Sequence, residues 1–430
     1  MTTIVITGAG PAGVITAVGL KRLGYNVCLL GRPRRFASVE GVSARVLQAL
    51  AQQQLHHTVA SIEEPGVRQV SWNGVQHAQN HEWLVDRSKF DRALWKDAQA
   101  LGVPVQVAGV TKVSEHGSGW RIDVDTGATV EADFWVEARG RSAPRAAESL
   151  RGPETISILN RWTHNAATNA TAIRSDPKGW VWGARLSRLG YWQYTLDTAE
   201  VLPAKHELLD FCRAKQKHCD VFHSLFAEDE LRAVDVHVRA GTSILNNSAC
   251  GDNWLRVGDA AMAVDSLSGN GIFQSMSSAL QAPSVINTLL KAKSSAQLAK
   301  DFHNQRVEHL FYRFARMGRE FYAEETRYAD EVFWHQRQQW PDTQESHQMA
   351  TPIAEIAVRK KAVIEDFFIR EQEVVVTPDQ PLGIWHVDGI ALAPLFKRWL
   401  AEESWDSILA THTPQEQASL LVWLAAQGLR

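Results

Sequence analysis

The chain has 430 residues, 45% hydrophobic and 22% charged, with a formal net charge of -3. That length holds roughly two to three ordinary domains, and the nearly balanced charge excludes nucleic acid or an anionic membrane surface as the main partner. No apolar run reaches the roughly 18–20 residues of a bilayer span. A strand-like run begins almost at once, leaving no room for a secretory leader, so the expected compartment is the cytoplasm. Cys28, Cys212, Cys219 and Cys250 show no C-x-x-C and no metal spacing, and they read as thiols with no metal site. The 16 tryptophans suit an aromatic pocket and an aromatic core equally.

Thr2–Thr7 is a β-branched run of the kind found in buried parallel strands. Gly8-Ala9-Gly10-Pro11-Ala12-Gly13 follows, then an apolar helical pattern from Val14 to Leu23, Gly24, and a second strand from Asn26 to Leu30. Gly8 allows the tight turn, Gly10 lets a pyrophosphate approach the backbone, and Gly13 lets helix and strand pack closely. With Pro11 and Ala12 opening the helix, its free N–H groups and positive dipole end receive the phosphates. Strand, turn, helix and strand in this order predict dinucleotide binding. The acidic residue expected after the second strand is instead Gly31, followed by Arg32-Pro33-Arg34-Arg35. Those arginines, Arg32 first, suggest a 2′-phosphate and NADP when taken alone.

Further along stand Gly41-Val42-Ser43-Ala44-Arg45, Val85-Asp86-Arg87-Ser88-Lys89-Phe90-Asp91 and Phe134-Trp135-Val136-Glu137-Ala138-Arg139-Gly140-Arg141-Ser142. Trp254 to Ile272 then runs as a strand, an acidic turn (Gly258-Asp259) and a Gly-rich opening (Ser268-Gly269-Asn270-Gly271) to a helix from Phe273 to Leu290. This last segment resembles the second flavin fingerprint of the p-hydroxybenzoate-hydroxylase-like (group A) FAD monooxygenases. The three shorter segments match that family in order, over residues 1 to about 340. The resemblance implies FAD as cofactor. It places Asp259 on a ribityl hydroxyl, Arg45 toward the phosphates, Arg87 and Gly140 near the FAD, and Gly269, Asn270 and Gly271 at the flavin ring. N–H groups there stabilise the charge of reduced flavin. It also implies an α/β fold: a Rossmann-like, discontinuous FAD domain (1–150 and 250–340) and an antiparallel substrate sheet (151–249). Arg139 stands where the family has a small residue.

Within 151–249, Gly179–Leu186 and Gly190–Leu196 read as antiparallel strands, with Trp180 and Trp182 on one face and Trp192 and Tyr194 on one face. Each pair reads either as cross-strand packing or as an aromatic wall above the flavin. Trp180-Val181-Trp182 also matches the start of the tryptophan-halogenase signature, which breaks at Ala184 and Arg185. The stretch between the Arg45 helix and Asp86 lacks the halogenase lysine and offers His77, His81 and Trp83. Hydroxylation is therefore expected, with Trp180, Trp182, His77 and His81 as substrate-face candidates and no assignable catalytic base; the two histidines stand at i,i+4 if helical and read otherwise as solvated loop residues. Residues 281–340 are helix-rich, 341–351 a polar linker, and 352–430 a small winged-helix-like C-terminal domain that reads either as structural support or, by its similarity to the peptide-binding modules of peptide-modification pathways, as a means of recognising a substrate protein. The whole resembles the flavin monooxygenases that mature quinone cofactors.

That resemblance implies reduction of FAD, capture of O2 at the flavin C4a as a hydroperoxide, and hydroxylation of a tryptophan in a partner polypeptide on the way to cysteine tryptophylquinone. NAD(P)H or a separate flavin reductase supplies the electrons. The alternatives are a small-molecule aromatic hydroxylase or halogenase-like flavoenzyme of secondary metabolism, and a flavin-binding recognition protein without turnover.

Overall fold

The run Thr3–Thr7 forms the middle strand of a five-stranded parallel sheet in the order Trp254–Arg256, Phe134–Glu137, Thr3–Thr7, Asn26–Gly31, Val105–Val107. Ile4, Val5 and Ile6 are fully buried, as expected of a strand covered on both faces. On one side an antiparallel meander, Val110–His116, Gly119–Val124 and Thr129–Ala132, packs Ile122, Val124 and Ala132 against Val5, Leu30 and Trp135. The computed structural model describes residues 2–34, 36, 38–163, 168–200, 202–226, 235–269, 271–347 and 352–430. They form two compact units, Met1–Pro283 with Phe314–Gln344, and Ser284–Arg313 with Glu345–Arg430.

The first unit also holds an eight-stranded sheet in the order Asp235–Ala240, Thr155–Thr163, Leu189–Asp197, Gly179–Leu186, Ala170–Asp176, Glu63–Trp72, Val75–Asp86, Val39–Val42. All pairs are antiparallel except Ala170–Asp176 with Glu63–Trp72. The antiparallel strands expected over 151–249 are present, and three more come from the first hundred residues. Val39–Val42 is only four residues long, and the other two carry polar runs that hide their period. Side-chain alternation then sorts the aromatics. Trp182 lies opposite Gln193 and Trp180 opposite Thr195, so these share one face with Tyr191. Trp192 and Tyr194 point the other way. There Phe222, Val221 and Leu225 of the helix Asp220–Leu225 and Cys212 of the helix Leu208–Lys217 bury them.

In the second unit, a hairpin pairs Ala357–Glu365 with Phe368–Val376, and helices follow at Leu392–Leu400, Trp405–Leu409 and Pro414–Ala426. Its core gathers Val375, Phe396, Trp405, Ile408, Leu420 and Leu424. Thr413 caps the last helix, with Glu416 reaching back to its N–H.

Candidate functional site

The first turn is specified by backbone packing. Gly8 has φ +116, and a Cβ there would sit 2.2 Å from the Ala138 carbonyl oxygen. A Cβ at Gly13 would sit 1.8 Å from the Gly8 oxygen, so only hydrogen fits between helix and strand. A Cβ on Gly10 would meet no heavy atom within 4 Å; it would project into a cleft of about 870 Å3 that Gly8, Gly10, Pro11 and Ala12 line. Pro11 opens the helix Pro11–Arg22, which has no acidic residue in its first turn and no side-chain cap, an end suited to an anion. Gly31 has a steric cause as well: a Cβ there would come within 2.4 Å of the Ala9 Cβ. Arg32 lies at the cleft edge, ion-paired with Asp125.

The second fingerprint lines the same cleft through Asp259, Ser266 and Gly271. Burial in the cleft wall raises the Asp259 carboxyl above the usual carboxylate range, against the pull of Arg141, whose Nε lies 3.6 Å away. Arg141 is itself fixed by donating to the carbonyls of Thr242 (2.5 Å) and Val264 (2.7 Å). Gly140, with φ +61, also lines the cleft, its missing Cβ 3.9 Å from that of Asp259. A short turn, Ser266–Ser268, ends at Gly269 in the left-handed region (φ +63). Gly269 is absent from the cleft lining, and Asn270 lies outside the described residues.

Arg139, the departure from the family pattern, turns back onto Glu137. Its Nε donates to the Glu137 carboxylate at 2.9 Å, neutralising a carboxylate that is completely buried. Trp135 and Thr7 complete that network: the indole N–H donates to the Thr7 hydroxyl at 3.0 Å.

Arg87 lines the cleft, and its guanidinium donates to both Glu40 oxygens at 2.8 Å and to Asp91 at 2.9 Å. Arg34 closes the set on Asp91 at 2.5 Å. Burial alone would raise the Glu40 carboxyl; Arg87 and Arg34 outweigh it and hold the group below its ordinary range. Arg45 is exposed at the start of the helix Ala44–Gln52 and does not line the cleft.

The opposing wall comes from three strands of the large sheet: Ser157 and Leu159, Tyr191 and Gln193, and Arg239. Gln193 donates to the Thr195 hydroxyl at 3.0 Å. Burial raises the Tyr191 phenol far above its ordinary range, so it stays protonated. Among the described residues Arg239 has no carboxylate partner; it donates to the Phe36 carbonyl at 3.2 Å and lies over that ring. Sequence reasoning missed this wall, the pairing of Asp91 with Arg87 and Arg34, and also Glu40 and Trp95, whose indole donates to the Ala9 carbonyl at 2.6 Å. Strand alternation past Gly190 carried a signal for Tyr191 and Gln193; nothing local marks Arg239.

The four substrate-face candidates are not gathered at the cleft. Trp182 is half-buried and meets Tyr191 edge-on at 5.4 Å, bordering the wall. Trp180 shares that face but sits farther across the sheet, packed in an aromatic cluster. His77 and His81 are exposed on the strand Val75–Asp86, not on a helix, and neither lines the cleft. Trp192 and Tyr194 are excluded from the wall by alternation.

The cleft fits FAD by its own features: an open glycine at a free helix N-terminus, a carboxylate at the second turn, and both fingerprints on one cavity. Fold and cleft define an FAD-dependent oxidoreductase. The family model for tryptophan halogenase matches residues 43–421, and the chain belongs to that family. It is 47% identical to the peptidyl tryptophan dihydroxylase QhpG, described as essential for tryptophylquinone cofactor biogenesis, with TM-score 0.87 and all of both chains covered. The flavin-dependent halogenase CmlS superposes with TM-score 0.76 at 16% identity, covering 100% of this chain and 95% of its own, a likeness of fold. Tryptophan 2-halogenase of Chondromyces crocatus is 22% identical over 374 residues, 77% of this chain and 70% of that one. The chain is an FAD-dependent monooxygenase. Among the described residues no helix is long and apolar enough to cross a membrane.

Proposed function

We propose that this enzyme hydroxylates a tryptophan side chain within a partner polypeptide, as a step in building a tryptophylquinone cofactor. The observation that carries this reading is the 47% identity, over the full length of both chains, to an enzyme described as acting on peptidyl tryptophan. The sequence agrees where it departs from the halogenases: residues 46–85 contain no lysine, and a halogenase needs that ammonium to hold hypohalous acid.

When bound, FAD supplies the redox chemistry, accepting two electrons and passing them to O2. The chain's own residues bind and shield. The N–H groups of Gly10 and Ala12 would receive the pyrophosphate, with Gly8 and Pro11 shaping the turn that presents them; Asp259 would take a ribityl hydroxyl, and Arg87, locked by Glu40 and Asp91, would stand beside the cofactor. Arg32 and Gly140 edge the same cleft. Gly13 serves by close packing alone. Tyr191, Gln193 and Ser157 line the opposing wall with neutral hydrogen-bonding groups that orient an indole without attacking it. No general base is required, because the indole ring is the electron-rich partner. Electrons come from NAD(P)H bound transiently or from a separate flavin reductase, since the sequence has a single strand–helix dinucleotide fingerprint and that one would hold FAD. We place the reaction in the cytoplasm.

The test is turnover with reduced flavin and O2, using the partner polypeptide and free indoles or phenols in parallel. Product confined to the polypeptide supports the reading. Tightly coupled hydroxylation of free aromatics would replace it with small-molecule hydroxylation.

A further inference from the structure

Trp180 shares a sheet face with Tyr191 and Gln193, yet it is only 2% exposed. It packs with Trp72, Ile173, Tyr322, Phe333 and Trp334 over the strands Gly179–Leu186, Ala170–Asp176 and Glu63–Trp72. Its indole N–H donates to the Tyr322 hydroxyl at 3.2 Å. That hydroxyl has one proton to give, and it faces Asp265, with both carboxylate oxygens at 3.2 Å. Asp265 in turn accepts from the Leu267 N–H at 2.9 Å, and its carbonyl accepts from the Ser268 hydroxyl at 2.9 Å.

These bonds shape the Ser266–Ser268 turn, which Gly269 closes by donating its N–H to the Ser266 carbonyl at 3.1 Å. The two sides of the turn face different surroundings. Leu267 packs into the aromatic cluster, whereas Ser266 and, beyond the turn, Gly271 line the cleft. The polarity of the chain is fixed at every link: indole N–H to phenol, phenol to carboxylate, backbone N–H to carboxylate. Buried at Trp180 and Tyr322 and half-buried at Asp265, such a chain holds its end group more firmly than its separate bonds would. Burial and the Asp265 charge hold the Tyr322 phenol well above its ordinary range, so the donor persists.

We infer that Tyr322 is a positioning residue for the flavin: through Asp265 it sets the turn beginning at Ser266 against the reduced cofactor, and Trp180 orients its hydroxyl. The inference rests on reading that turn as the flavin contact. It also gives the first tryptophan of the Trp180-Val181-Trp182 motif a task other than contacting substrate. A loosened turn would stabilise the anionic reduced flavin less and leave oxidised flavin less affected.

The experiment uses the full-length protein loaded with FAD. Tyr322→Phe removes one hydroxyl, and Trp180→Phe removes the N–H while leaving a ring. The readouts are FAD dissociation constant, midpoint potential, visible spectrum and thermal unfolding. Tyr322→Phe is expected to lower the ratio of reduced to oxidised FAD affinity about tenfold, which is a fall of about 30 mV for a two-electron couple, with a shift in the flavin bands. Trp180→Phe should move the ratio the same way by about threefold, in the range of one hydrogen bond. The double variant should match Tyr322→Phe, since Trp180 acts through Tyr322. A lowered unfolding temperature with unchanged potential and spectrum would overturn the inference and reduce both residues to packing. Should Tyr322→Phe fail to fold, Trp180→Phe decides by the same readouts. A wild-type chain that binds no FAD would overturn the cofactor reading beneath it.

Discussion

The two turns that meet in the cleft are held by different means. The Gly8–Gly13 turn is set by main chain against main chain: the Gly8 N–H donates to the Leu30 carbonyl at 2.7 Å, and Gly13 leaves no room for a side chain. The Ser266–Gly269 turn has open space around its glycine and takes its shape from side chains, Asp265 first and Tyr322 and Trp180 behind it. A turn fixed by glycine contacts is written locally and tolerates almost no change. A turn fixed by a side-chain chain is written in three distant segments, and its properties can be adjusted one bond at a time.

This contrast can be broken by substitution. Gly13→Val should abolish folding, because the added carbon meets a backbone oxygen that cannot move aside; a soluble variant with native circular dichroism would refute the close packing. Gly10→Val should fold normally, with an unfolding temperature near that of the parent, and lose FAD affinity by at least about 100-fold, or roughly 2.7 kcal/mol. Retained yellow colour would contradict the assignment of that open space to the pyrophosphate. Asp259→Ala should weaken FAD by about tenfold, roughly 1.4 kcal/mol, and unchanged affinity would show that the second turn does not hold the ribityl chain.

The smallest effect is electrostatic. Glu40 is held below its ordinary value of 4.5 by Arg87 and Arg34 after burial is overcome. Its folded value is the depressed one, so its contribution to stability is present above about pH 4.5 and is lost as pH falls through the folded value. Glu40→Gln should flatten that part of the acid-unfolding profile, and a profile identical to wild type would place the acid sensitivity elsewhere.

The contrast also explains what could be read in advance. The first fingerprint was legible because its glycines lie within six positions and their causes are steric. The second was legible through its resemblance to a known pattern, down to Asp259, but not through the support beneath it. Asp265 and Tyr322 carry no signal in their own neighbourhoods, and Trp180 stands out only as part of the Trp180-Val181-Trp182 motif, which points to substrate and not to this turn. Trp180 and Trp182 were correctly put on one face by a period of two. That period cannot say that the cleft lies over the strands Asp235–Ala240, Thr155–Thr163 and Leu189–Asp197 while an aromatic cluster covers their neighbours. The same limit hid Arg239, which lies on an edge strand. His77 and His81 fall at a spacing shared by a helix and a strand, and the β-hairpin partner Glu63–Trp72 decides for the strand.

The most direct test of the central claim is an 18O2 reaction of the FAD-loaded enzyme with its partner polypeptide, read by peptide mass spectrometry. The account predicts one or two labelled oxygens on a single tryptophan and none on free indoles supplied alongside. An unmodified partner with labelled free aromatics, or label that enters from water, would contradict it.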